Sequence, residues 1–138
     1  MAKTPVRSVI DTNVLISAII FGGNPRKIIK LIQENRIIAI TSPVLVSELL
    51  EILVKKFYFT PDKIYLVEEL IKENFIIVHP SYTLNIVRDR DDNKVLEAAI
   101  KGKCEYIITG DADLLELKFF QEIEILTPEL FLKNQMLI

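Results

Sequence analysis

Val9-Ile10-Asp11-Thr12-Asn13-Val14-Leu15-Ile16 is the stretch that decides the fold. An apolar run from Val6 to Ile10 meets a carboxylate, and an apolar segment with helical spacing begins at once. Asp11 therefore stands at the carboxyl end of a first strand, where the chain turns into a helix. In open α/β sheets that rim is where ligands bind. Thr12 and Asn13 have side-chain oxygens that can cap the helix. Asp is also common in turns for local reasons, so Asp11 acquires meaning only from its company.

Outward from there, near-continuous Ile/Val runs predict further strands at Arg36–Thr41, Asn74–His79, Cys104–Thr109 and Glu124–Leu126. Helices are predicted at Val14–Ile20, Pro25–Glu34, Pro43–Phe57, Pro61–Glu73, Asn93–Lys101, Ala112–Lys118 and Pro128–Asn134. Four open on a capping residue followed by Pro: Asn24-Pro25, Ser42-Pro43, Thr60-Pro61 and Thr127-Pro128. Strand and helix alternating through short turns predict a three-layer α/β/α sandwich around a parallel sheet. At 138 residues the chain reads as a single domain, 1–138.

Composition narrows the chemistry. No apolar run reaches the ~18 residues of a membrane span, and the N-terminus has no signal-peptide pattern. One cysteine, Cys104, fits a buried thiol in a reducing cytoplasm. With one histidine besides, a Cys/His zinc site within the chain is excluded. His79 ends a strand and reads as structural; no Gly-x-Ser-x-Gly elbow accompanies it for a Ser-His-Asp triad. A net charge of −2 gives no bulk attraction to nucleic acid, so any basic surface has to be local. Candidate phosphate contacts are Arg26, Lys27, Lys30, Arg88, Arg90 and Lys94. The apolar surplus in Ile28-Ile29, Leu31-Ile32 and Phe57-Tyr58-Phe59 suggests a homodimer, if these residues do not complete the core.

Four acids stand out. Glu48 lies in a helix among Val44, Leu45 and Ile52 with no basic partner at helical spacing, an expensive place for a lone carboxylate. Glu51, by contrast, has Lys55 at i+4 and reads as a surface pair. Asp92 precedes a helix, and Asp111 follows Ile107-Ile108-Thr109-Gly110; each is a site acid or an N-cap. Gly110 permits a tight turn. Asp113 either reaches the same site or complements the helix dipole. Together Asp11, Glu48, Asp92 and Asp111 share one rim of one sheet, where their repulsion requires a cation. Oxygen ligands suit Mg²⁺ or Mn²⁺, and such a site can serve in-line displacement at a phosphodiester.

The chain resembles the PIN-domain family, nearest its small single-domain members classed as toxins of toxin–antitoxin systems. The matching pieces are Val9 to Leu15, Ser47-Glu48-Leu49, Asp89 to Ala99 and Tyr106 to Leu115, in family order and spacing over nearly the whole chain. The resemblance implies a five-stranded sheet of order 3-2-1-4-5 with β1 central. It implies a Mg²⁺- or Mn²⁺-dependent endoribonuclease hydrolysing phosphodiester bonds of single-stranded RNA in the cytoplasm, with a cognate antitoxin protein as partner. Family catalytic and metal-site acids map onto Asp11, Glu48, Asp92 and Asp111, with Asn13, Thr109 and Asp113 in support and Asp113 added to the metal set. Asp89, Asp91 and Asp92 crowd one loop, and the register of Val95-Leu96-Glu97-Ala98-Ala99 selects Asp92 as the third acid. Where toxin relatives often carry an aromatic after the last Asp, this chain has Leu114.

Two other classes compete. A haloacid-dehalogenase-like phosphatase also has Asp after β1, and Gly110-Asp111-Ala112-Asp113 faintly echoes its late motif. Its general-acid position, however, is Asn13, and a clear Ser/Thr–Lys pair is lacking. A non-catalytic RNA-binding PIN module is the binding alternative. A receiver is disfavoured because the middle strand ends in His79-Pro80, not in a phosphorylatable Asp.

Overall fold

A computed structural model describes residues 4–135; the extremes of the 1–138 span, including Met1-Ala2-Lys3 of the leader reading, lie outside them. The elements in order are β1 (Val6–Ile10), α1 (Thr12–Ile20), α2 (Gly23–Gln33), β2 (Ile37–Thr41), α3 (Pro43–Phe57), α4 (Pro61–Asn74), β3 (Phe75–Ile77), α5 (Arg90–Lys101), β4 (Tyr106–Ile108), α6 (Ala112–Leu117), β5 (Phe119–Phe120), β6 (Ile123–Leu126) and α7 (Pro128–Asn134).

They build one sheet of order β3-β2-β1-β4-β6-β5. The α/β class holds, but the five-stranded, all-parallel 3-2-1-4-5 arrangement does not. Among the described residues there are six strands, and β5 pairs antiparallel with β6, Phe119 opposite Glu124 and Phe120 opposite Ile123. Lys118 and Gln121, both at positive φ (62° and 56°), turn the chain at either side of β5. Two residues cannot display a period-2 pattern, so the helix predicted through Lys118 absorbed the approach to this hairpin.

Alternation within each strand explains the three layers. Ile10, Ala39, Ile108 and Leu126 face one way, toward Leu15, Ile28, Leu49, Leu53 and Phe131 of α1, α2, α3 and α7. Their neighbours Val9, Ile40, Ile107 and Ile125 face the other way, toward Val95, Leu96, Ala98 and Ala99 of α5 and Leu114 of α6. Both faces are covered, which is why the strands read as unbroken apolar runs. Of the apolar surplus, Ile28, Leu31 and Ile32 are buried in the core, while Tyr58 is 84% exposed.

Three of the four expected Pro-led helix starts are built as read. Ser42, Thr60 and Thr127 each accept a backbone N–H three residues on, at 3.4, 3.3 and 3.2 Å. The fourth differs: α2 begins at Gly23, because Gly22 and Gly23 take positive φ (92° and 68°) and turn the chain earlier than Asn24-Pro25 would. Among the described residues no helix is long and apolar enough to cross a membrane.

Candidate metal centre

Strand–helix junctions carry the acids. Asp11 ends β1 and caps α1: its Oδ1 accepts the Thr12 N–H at 2.7 Å. Its Oδ2 accepts the Thr109 hydroxyl at 2.7 Å, a bond from β4's far end across 98 residues of sequence. The same Thr109 oxygen accepts the Asp111 N–H at 2.9 Å. Asn13 adds a second tie, its Oδ1 taking the Gly110 N–H at 3.3 Å and its Nδ2 reaching Asp11 Oδ2 at 3.4 Å. Side chains after β1 thus lock to backbone after β4, and Asn13 is spent on this lock where a phosphatase would hold its general acid.

Asp111 caps α6, accepting the Leu114 N–H at 3.0 Å, so its capping and site roles coexist. Asp92 is not a cap. Helix α5 starts at Arg90, three residues before the expected Asn93, and Asp89 caps it by accepting the Asp91 N–H at 2.8 Å. Asp92 therefore lies in the first helical turn, buried, with Oδ2 lacking any hydrogen-bond partner among the described residues. Carboxylate oxygens of Asp92, Asp111 and Asp113 all lie within 4.8 Å of one another. An orphaned buried oxygen beside two more carboxylates fits a hard divalent cation. Asp113 also faces Arg88 Nη2 at 4.0 Å, a long and exposed ion pair of little energetic weight.

Electrostatics mark the same place. Burial, then sharing of a proton with Asp111 and repulsion from it, pushes the Asp92 carboxyl up to about 8. Burial also raises Asp11, outweighing the lowering hydrogen bonds from Thr109 and Thr12. Glu48, half-buried on α3, is pushed up to about 7 by burial and then by Asp91, Asp11 and Asp89. It stands outside the tight group of three but faces Asp91 across a cleft of about 550 Å³ that both line. Acids whose charges raise one another, gathered at one sheet rim, are a functional-site signature.

Two residues escaped the sequence reading. Asn93, buried on α5, accepts the N–H groups of Ile86 and Val87 at 2.8 and 3.0 Å and donates to the Val87 and Asp89 carbonyls at 2.8 and 3.2 Å. Glu97, also buried, accepts the Leu84 N–H at 2.9 Å and pairs with Lys94 at 3.3 Å. The polar stretch after His79 is therefore pinned to α5. Polar residues on the apolar face of an otherwise amphipathic helix were the available signal. Of the candidate phosphate contacts, Arg26 is occupied with the Ala18 and Ile19 carbonyls at the end of α1, whereas Arg88, Arg90 and Lys94 line one cleft, from which Arg88 reaches toward Asp113.

A family model for the PIN domain matches residues 7–113. The chain is 37% identical over 123 residues to the uncharacterized protein MJ1680 of Methanocaldococcus jannaschii, covering 86% of this chain and 79% of that one. Its fold is similar to that of the PIN domain endonuclease Utp24, with a TM-score of 0.58 at 18% identity over 89% of this chain and 85% of that one.

Proposed function

The chain belongs to the PIN domain family, and from that premise we propose that it is a metal-dependent endonuclease that hydrolyses single-stranded RNA. PIN domains are generally nucleases and bind divalent metals. The observation that carries the reading is the convergence of Asp92, Asp111 and Asp113, with Asp92 Oδ2 buried and unpartnered. These three would hold Mg²⁺ or Mn²⁺, with the locked Asp11 carboxylate alongside. A bound cation supplies positive charge that stabilises a phosphodiester's oxygens in displacement and eases loss of a proton from water. Asp11 keeps its orientation through Thr109 and Asn13, and Glu48 offers a carboxylate at the cleft that exchanges its proton near neutrality. Arg88, Arg90 and Lys94 contribute the local basic surface that a chain of net charge −2 needs for phosphate backbone.

Purified protein with Mn²⁺ or Mg²⁺ is expected to cut single-stranded RNA and to stop on addition of EDTA. Asp11→Asn and Asp92→Asn are each expected to lose several orders of magnitude in rate. Activity that survives EDTA, or a fully active Asp11→Asn, overturns the reading. Action as the toxin of a toxin–antitoxin pair is the finer proposal, supported by the likeness of the motifs to small single-domain toxins. Induced expression is then expected to arrest growth, and Asp11→Asn not to.

A further inference from the structure

Beside the Glu48–Asp91 cleft lies a second cavity of about 420 Å³, walled by Pro43, Val44, His79, Tyr82 and Lys94. Pro43 and Val44 belong to both, so the two hollows are continuous along the start of α3. We propose that this cavity receives an unpaired nucleobase of the RNA strand; the assignment rests on the nuclease reading and adds the subsite that holds a nucleotide next to the acids.

Four features carry it. The volume lies in the range of small-molecule sites. Val44 is half exposed although apolar, and together with Pro43 it offers the cavity an apolar wall. His79 is exposed and Tyr82 partly so, two rings of the kind on which unstacked bases lie. Ser81 and Thr83 place exposed hydroxyls at the mouth for a base's polar edge, and the Lys94 ammonium stands there for an adjoining phosphate. The wall is rigid before any ligand arrives: the Tyr82 hydroxyl donates to the Glu97 carbonyl at 3.4 Å, and the Glu97 carboxylate holds Leu84 N–H and Lys94. Such fixing reduces what a ligand must order on binding.

His79 is the chain's one histidine, so in ¹³C-labelled protein its Cε1–Hε1 pair gives one cross-peak that unlabelled nucleotides do not overlap. At fixed pH and with EDTA present, the four nucleoside 5′-monophosphates and ribose 5-phosphate are titrated in turn, and cleavage of a mixed-sequence RNA with Mn²⁺ is assayed alongside. At least one nucleotide is expected to shift the His79 signal saturably, ribose 5-phosphate not to. Val44→Asp, a change at an exposed position, is expected to weaken that binding about tenfold or more, the scale of one lost base contact. A His79 signal unmoved by every nucleotide, or moved equally by ribose 5-phosphate, overturns the subsite even if RNA is cut. A saturable nucleotide shift sustains the subsite even if no cutting is seen, in which case it is the nuclease reading that fails.

Discussion

One hydroxyl oxygen joins the two halves of the acidic rim: Thr109 Oγ1 donates to Asp11 and accepts from the Asp111 N–H. Thr109→Val keeps the shape and removes both bonds, leaving Asp11 Oδ2 with only the long Asn13 contact and the Asp111 N–H unpaired. It is expected to cost about 1–3 kcal/mol in thermal or denaturant unfolding and roughly 10–100-fold in metal affinity by titration calorimetry, with Thr109→Ser restoring both. Glu48 sets a different test. Its carboxyl is raised from 4.5 to about 7, chiefly by burial. Below 4.5 it is protonated in folded and unfolded chains alike, and its favourable contribution is fully present. As pH rises through about 7 the unfolded chain has already released the proton, and that contribution is lost. Glu48→Gln is therefore expected to melt with wild type in acid and above it beyond pH 7, both in EDTA. Equal melting across the range removes the claim.

Helix α5 shows what an element can hide. The sequence predicts its start at Asn93, yet capping by Asp89 starts the helix at Arg90 and places Asp92 buried in its first turn. Its Asn93 anchors Ile86 to Asp89 through four hydrogen bonds. Asn93→Ala strips them together and is expected to destabilise by about 2–3 kcal/mol. Amide exchange at Ile86 and Val87 is expected to quicken by more than the global loss accounts for; uniform quickening would mean the loop is held some other way. The strands of the core and the caps of α3, α4 and α7 were legible because burial on both faces and Ser/Thr-Pro starts leave a local imprint. Asp11 and Asp111 were legible as strand-end acids for the same reason. The pairing of Thr109 with Asp11, the orphaned Asp92 oxygen, and the separation of Glu48 from the tight trio depend on elements meeting across the sheet. No local pattern records them. The β5 hairpin was lost because two residues carry no periodicity.

At the scale of the molecule, gathered acids make the metal-free protein less stable than its packing allows. A cation bound only to the folded chain adds about 2.7 kcal/mol at a hundred times its Kd, so Mn²⁺ is expected to raise the melting temperature by several degrees. Asp11→Asn removes a charge that burial already disfavours; in EDTA it is expected to melt at or above wild type, and with Mn²⁺ to lose most of the rise. A markedly lower melting point in EDTA would make Asp11 scaffolding. Association is a separate proposal: Phe21, Tyr58, Tyr65 and Leu66 are largely exposed, and light scattering at micromolar concentration is expected to give twice the chain mass, a monomer rejecting it. The sheet's wiring has a consequence in time. The central strand β1 is made before the other five strands described, yet Asp11 waits for Thr109, 98 residues later, and Asp111 and Asp113 follow still. On the ribosome a chain made only as far as α5 thus carries Asp11, Glu48 and Asp92 but neither Asp111 nor Asp113. Whatever chemistry this rim performs, it cannot begin before the chain has been made past Asp113 and β4 has taken its place beside β1.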